Sequence, residues 1–196
     1  MSFSSPNTDM PVTLERREAS AILDLLMPLI YFYNEDELPM PAVDFIQGDQ
    51  MPEPYRSLLV HQKDMTPTLR EHHGSDITLQ VVDMETSENY VMRQVVLHRA
   101  TDNAPIEYGA IGIQLKNFPP HVKALIREGK RPLGGILETE GIPHTSSPRA
   151  WFAIDADEHI SHLLHVPPGT KLYGRCNALS HLDGINFADI VEILPL

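Results

Sequence analysis

Two runs in the middle of the chain, Ile77 to Glu85 and Tyr90 to Arg99, alternate apolar and polar residues and are rich in valine and leucine. That period belongs to strands, and the two runs read as a pair. On the second, Val91, Arg93, Val95 and Leu97 share one face, so Arg93 points the way its apolar neighbours point. Asp102 and Asn103 make a turn into a third strand, Ile106 to Leu115. Arg149 to Ile154 is a short further strand. Lys171 to His181 and Asn186 to Leu194 flank Asp183-Gly184, a strong signal for a tight hairpin. Strands joined by hairpins, with helices before and between them, predict an α+β domain: a single antiparallel sheet with helices packed mainly on one face.

The helices follow from spacing and end signals. From Leu14 to Tyr33, Ile22, Leu25, Leu26, Leu29, Ile30 and Tyr33 recur at helical intervals, and Pro28 should kink or break that helix. Residues 1–12 read as a loose end. Asn34 to Pro54 is acidic and proline-rich and reads as an irregular connection. This divides the chain into residues 1–53, a helix and connection packed on the main domain, and a main domain over 54–196. Tyr55 to His61 is a short helix. Thr66 suits an N-cap and Pro67 a first helical position, in a helix that runs to about His73 and ends at Gly74. Phe118 to Glu128 is a helix capped by Gly129. Pro132 then opens another, and Asp157 begins one that runs to about His165.

The 196 residues suffice for one domain with a sizeable core, and the formal net charge of -12 argues against a broad nucleic-acid-binding face. Cys176 is the one cysteine, which excludes an internal disulfide and a multi-cysteine zinc site and suits a reducing compartment. No signal peptide is evident, and the apolar run Ala19 to Tyr33 is interrupted and too short to span a bilayer. The expectation is a cytoplasmic protein without a membrane or nucleic-acid partner; its oligomeric state is open.

Chemistry concentrates in a few places. In Gly129-Lys130-Arg131-Pro132-Leu133-Gly134-Gly135, the N–H groups of Leu133 and Gly134 have no partner inside their helix, and the glycines let a ligand approach the backbone. A bland reading is only a loop that ends in a helix. Arg93, flanked by Val91 and Val95, needs an anion, either a protein carboxylate or a ligand carboxylate. Arg149 is a weaker candidate of the same sort. Glu192 shares a face with Ala188, Ile190 and Leu194. It is either a carboxyl with a raised pKa, fit to be a general acid, or an edge residue facing water. His159, His162 and His165 turn around a helix axis and make a poor metal site; His72 and His73 read as surface. Cys176 reads as a small apolar filler. Nucleophile-elbow, phosphate-loop and dinucleotide fingerprints are absent from the sequence.

Four stretches together resemble the chorismate pyruvate-lyase (4-hydroxybenzoate synthase) family. They are Leu58-Leu59 with Asp64-Met65-Thr66, Met92-Arg93-Gln94-Val95-Val96-Leu97, Gly129 to Gly134, and Leu172-Tyr173-Gly174-Arg175 with Val191-Glu192-Ile193-Leu194-Pro195. The match covers about residues 58–196. The resemblance implies an antiparallel sheet with helices over it, enclosing a buried ligand site. It implies that Arg93 and the backbone amides of Met65 and Leu133 hold a ring carboxylate, with Glu192 at the ring's other end as general acid. Arg149, in Pro-Arg-Ala-Trp-Phe, would meet a second carboxylate.

The implied activity is the conversion of chorismate to 4-hydroxybenzoate and pyruvate, which would serve aromatic-acid or quinone-precursor synthesis. It needs no metal and no organic cofactor. The N-terminal region is long for the family, and residues 156–169 look like an insertion. The same fold serves as a ligand-sensing domain in bacterial transcription regulators. A non-catalytic protein that binds a small aromatic acid is therefore the alternative, although no DNA-binding helix-turn-helix is evident in the first fifty residues.

Overall fold

Alternation of the kind seen in 90–99 places side chains on both faces of a sheet, and here both faces are covered. The computed structural model describes residues 10–196, with side chains from Leu23 onward. Its seven strands are β1 (Val43–Ile46), β2 (Ile77–Thr86), β3 (Tyr90–Arg99), β4 (Pro105–Gln114), β5 (His144–Asp155), β6 (Lys171–His181) and β7 (Asn186–Leu194). They form one antiparallel sheet in the order β1-β5-β6-β7-β4-β3-β2.

On the face that carries Arg93 lie α2 (Tyr55–Leu59), α3 (Met65–His73), α4 (Pro120–Glu128) and α5 (Leu133–Thr139). Leu69 of α3, Val122 and Ile126 of α4, and Ile136 of α5 are fully buried there. The opposite face is covered by α1 (Met10–Glu35) and α6 (Glu158–Leu164), through Leu29, Phe32, Ile160 and Leu164 against Val96, Phe152, Leu172 and Val191. Among the described residues, four of the six α-helices thus share one face, and the long α1 and the short α6 take the other. Their apolar stripes account for this, since each is too apolar on one side to face water. Among the described residues no helix is long and apolar enough to cross a membrane.

Several boundaries differ from the expectation. Residues 10–12 belong to α1, and the rest of the expected loose end, 1–9, lies outside the described residues, as does the side chain of Ile22. Helix α1 runs through Pro28 as one element. Within the supposedly irregular connection, Val43–Ile46 adds an edge strand to β5. Strand β5 itself starts at His144, not Arg149; the register shift between Pro148 and Ala150 lets the strand pass a proline that cannot donate to the ladder. Asp64 and Pro132 are the N-caps of α3 and α5, which makes Met65 and Leu133 the first helical residues. Pro67 falls two positions further in, still within the first turn, where a missing N–H costs nothing.

Candidate functional site

The parity of β3 sends Arg93, Val95 and Leu97 to one face, where β4 adds Glu107, Gly109 and Ile111, β7 adds Glu192 and Ile190, and β6 adds Asn177 and Leu179. The starts of α3 and α5 close over them. The two starts touch: a Cβ on Gly134 would stand 3.3 Å from Thr66 Oγ1 and 3.8 Å from Asp64 Cβ. Between sheet and helix starts lies a cavity of about 60 Å³, lined by these residues with Asp64, Met65, Thr66, Pro132, Leu133 and Gly134. One water needs roughly 10–15 Å³ by such a measure, so the space suits a small organic molecule.

Three buried charged side chains line this cavity, Arg93 (1% exposed), Glu192 (3%) and Glu107 (5%), and a fourth, Arg175 (0%), stands behind Glu192. They fall into two groups. Arg93 stands alone at one end. Its Nη2 donates to the Arg131 carbonyl at 3.4 Å, while Nε and Nη1 have no partner among the described residues. Burial lowers its pKa to about 10, so it is still a cation at neutral pH. The first residues of α3 and α5, Met65 and Leu133, line the same cavity, and their amides have no acceptor within their own helices.

At the other end Glu192 is ion-paired with Arg175, its cross-strand neighbour on β6. Arg175 also donates from Nη1 to the carbonyls of Leu59 (3.4 Å) and His61 (3.1 Å) and from Nη2 to that of Lys63 (3.1 Å). Glu107 lies beside this pair, with Oε2 unpartnered among the described residues. Burial, then the charge of Glu192, push its pKa well above the usual carboxylate range, and Arg175 offsets only part of this. By register Arg93 and Glu192 are two strands and two residues apart, roughly 12 Å between Cα atoms at ordinary strand spacing and rise.

Of the residues expected at the site, Arg93, Met65, Leu133 and Glu192 line this cavity. Arg149 does not. Its side chain is 52% exposed and sits 3.6 Å from Asp189, because the bulge after Pro148 takes that stretch out of step. Glu192 is not an isolated carboxyl among apolar neighbours, since Arg175 accompanies it. Glu107 and Arg175 were not singled out from sequence. His159 turns inward, with Nε2 3.3 Å from Gln94 Oε1, while His162 is exposed and His165 takes the left-handed C-cap of α6.

The start of α3 is fixed from outside the cavity. Asp64 does not cap its own helix; its Oδ2 lies 2.8 Å from His144 Nε2, and His144 Nδ1 lies 2.9 Å from the Ile142 carbonyl. With acceptors at both ring nitrogens, the imidazolium fits best. The pKa of His144 is raised, first by the Asp64 hydrogen bond, against an opposing desolvation. A raised folded pKa means that this stabilisation is complete below the ordinary histidine value and fades as pH rises through the folded one. The melting-temperature gap between wild type and His144→Ala should therefore be widest near about pH 5.5 and narrow steadily toward about pH 8.5. A constant gap would show that the pair does not titrate.

No protein-family model matches the chain, and no curated protein matches it. Among solved structures, PhnF from Mycobacterium smegmatis is similar at 12% identity and a TM-score of 0.53, over 69% of this chain and 64% of that one. The effector domain of PhnF is similar at 12% identity and a TM-score of 0.50, over 67% of this chain and 87% of that one. The C-terminal domain of a histidine utilization repressor from Pseudomonas syringae gives a TM-score of 0.44 at 12% identity, over 61% and 92% of the two chains. The chain thus spans 64% of the length of PhnF. At such identities the likeness establishes the fold alone: an α+β, chorismate lyase-like sheet shared with the PhnF effector domain. By itself it does not show membership of the chorismate lyase family.

Proposed function

We propose that the cavity binds a small aromatic carboxylate, with Arg93 and the amides of Met65 and Leu133 around the carboxylate and Glu192 at the opposite end of the ring. The observation that carries this reading is Arg93, a buried guanidinium without a carboxylate partner among the described residues. A fold tolerates such a charge at a cost of several kcal/mol, on the order of what breaking a buried pair costs, and a ligand anion is the natural complement. A ligand-sensing role accords with the names of the structures that share the fold, one of which is an effector domain. On this reading residues 54–196 supply the ligand domain and 1–53 a part packed against it. The partner is a small molecule; neither a metal, an organic cofactor, a nucleic acid nor a membrane is involved, and the setting is cytoplasmic.

A second reading, lyase activity on chorismate, is favoured by the two buried carboxyl groups, Glu192 and Glu107, at the far end. Loss of pyruvate makes the ring aromatic, so orientation and the handling of a proton suffice.

Calorimetry with 4-hydroxybenzoate and a pyruvate assay with chorismate test both. Saturable one-to-one binding without pyruvate release is expected for the sensing role. Pyruvate formation above the uncatalysed background would establish the lyase. Absence of binding by any aromatic carboxylate would end both.

A further inference from the structure

We propose that Glu107 carries the proton at the far end of the cavity and donates it in a hydrogen bond, so that the site selects ring carboxylates with a hydroxyl opposite the carboxylate. This rests on the aromatic-acid reading above. The first support is placement. Gly109 is the cross-strand partner of Glu192, and a Cβ added to Gly109 would stand 3.2 Å from Glu107 Oε1. The Glu107 carboxyl therefore lies over Gly109, where no side chain intervenes, and shares a corner with Glu192. The second is charge. The cation at that corner, Arg175, is already engaged by Glu192 and by three backbone carbonyls, and Arg93 belongs to the other end. Two carboxylates beside one cation in a dry corner keep one proton between them. Glu192 has the cation, so the proton rests on Glu107, in agreement with the upward shift of its pKa.

The third support is what this corner offers a ligand. A protonated Glu107 presents an O–H donor, and its Oε2 has no acceptor or donor among the described residues. An ionised Glu192 only accepts. A phenolic hydroxyl meets both, since it accepts from Glu107 and donates to Glu192. An amino group donates only and leaves the Glu107 proton unmatched. A bare ring satisfies neither. Sites built to hydrogen-bond a polar group reject analogues that lack it, because buried groups are then left unpaired.

Calorimetric titration of the full chain with benzoate, 4-aminobenzoate and 4-hydroxybenzoate, in wild type, Glu107→Gln and Glu107→Leu, tests this. Wild type should prefer 4-hydroxybenzoate to each of the others by roughly tenfold or more. Glu107→Gln, whose amide still donates, should keep that preference within about threefold, and Glu107→Leu should lose about tenfold of it. An unchanged preference in Glu107→Leu would overturn the proposal while leaving the aromatic-acid reading intact. A second measurement needs no ligand: carboxyl carbon NMR of glutamate-labelled wild type should show one side chain still protonated at pH 7, with its signal missing in Glu107→Gln. If Glu107 is ionised there, the proposal fails whether or not any of the three acids binds. If none binds but that proton is found, only the aromatic-acid reading and its selectivity fall.

Discussion

Arg93→Met should weaken binding of an aromatic carboxylate by roughly 30- to 1,000-fold and at the same time make the protein more stable. The first effect is the loss of a charge-assisted contact in a desolvated site, about 2–4 kcal/mol. The second follows because a buried cation with no anionic partner among the described residues disappears and an apolar side chain of similar reach takes its place. Replacement of buried charges by well-packed apolar groups is often stabilising by about 1–4 kcal/mol. Arg93→Lys should recover little binding, because an ammonium cannot reproduce the planar fork. Urea unfolding and calorimetry on the same preparations check both halves. Unchanged binding would mean that Arg93 does not meet the ligand, and a lower unfolding midpoint would mean that the fold itself supplies its partner.

Arg175→Met should do the reverse. That arginine neutralises Glu192 and holds three carbonyls, that of Leu59 at the end of α2 and those of His61 and Lys63 between α2 and α3. Its removal leaves a buried carboxylate beside a second carboxyl group and orphans the carbonyls, at a cost of about 3–5 kcal/mol. That is a large part of the stability of an ordinary domain, about 5–15 kcal/mol. The double variant Arg175→Met with Glu192→Leu should regain most of the loss, and the cycle of four proteins isolates the pair. If the single variant unfolds within about 1 kcal/mol of wild type, the ion pair is not what holds this corner.

The contrast between the two arginines explains what could be read in the sequence. Arg93 stood out because β3 alternates cleanly around it, and parity alone set it on the face of Val91 and Val95. Glu192 followed from the same argument on β7. Glu107 shares its face with Ile111 and Ile113, so the signal was present, but Ile106, Tyr108 and Ala110 make the other face just as apolar. When both faces are buried, alternation no longer marks a charged residue as unusual. Arg175 was hidden similarly, between the buried Gly174 and Cys176. Strands β3, β6 and β7 could be bounded from their patterns, whereas Thr145-Ser146-Ser147-Pro148 lacks apolar alternation and carries a proline, so half of β5 was invisible. Val43–Ile46 is a strand only because β5 offers it an edge, which no local pattern encodes. The two helix starts were each placed one or two residues from their true caps, yet their convergence over one cavity depends on packing between α3 and α5 that only the fold provides.

Arg175 also sets a length. The carbonyls it grips, Leu59, His61 and Lys63, belong to the segment that leads to Met65 at the start of α3, while its Nε holds Glu192. One side chain thus ties Glu192 to the segment that leads into α3, and neither can shift without breaking contacts that the other shares. On the aromatic-acid reading the distance from Arg93 to Glu192 is then a fixed gauge, and single-ring acids that reach both should bind more tightly than shorter aliphatic acids.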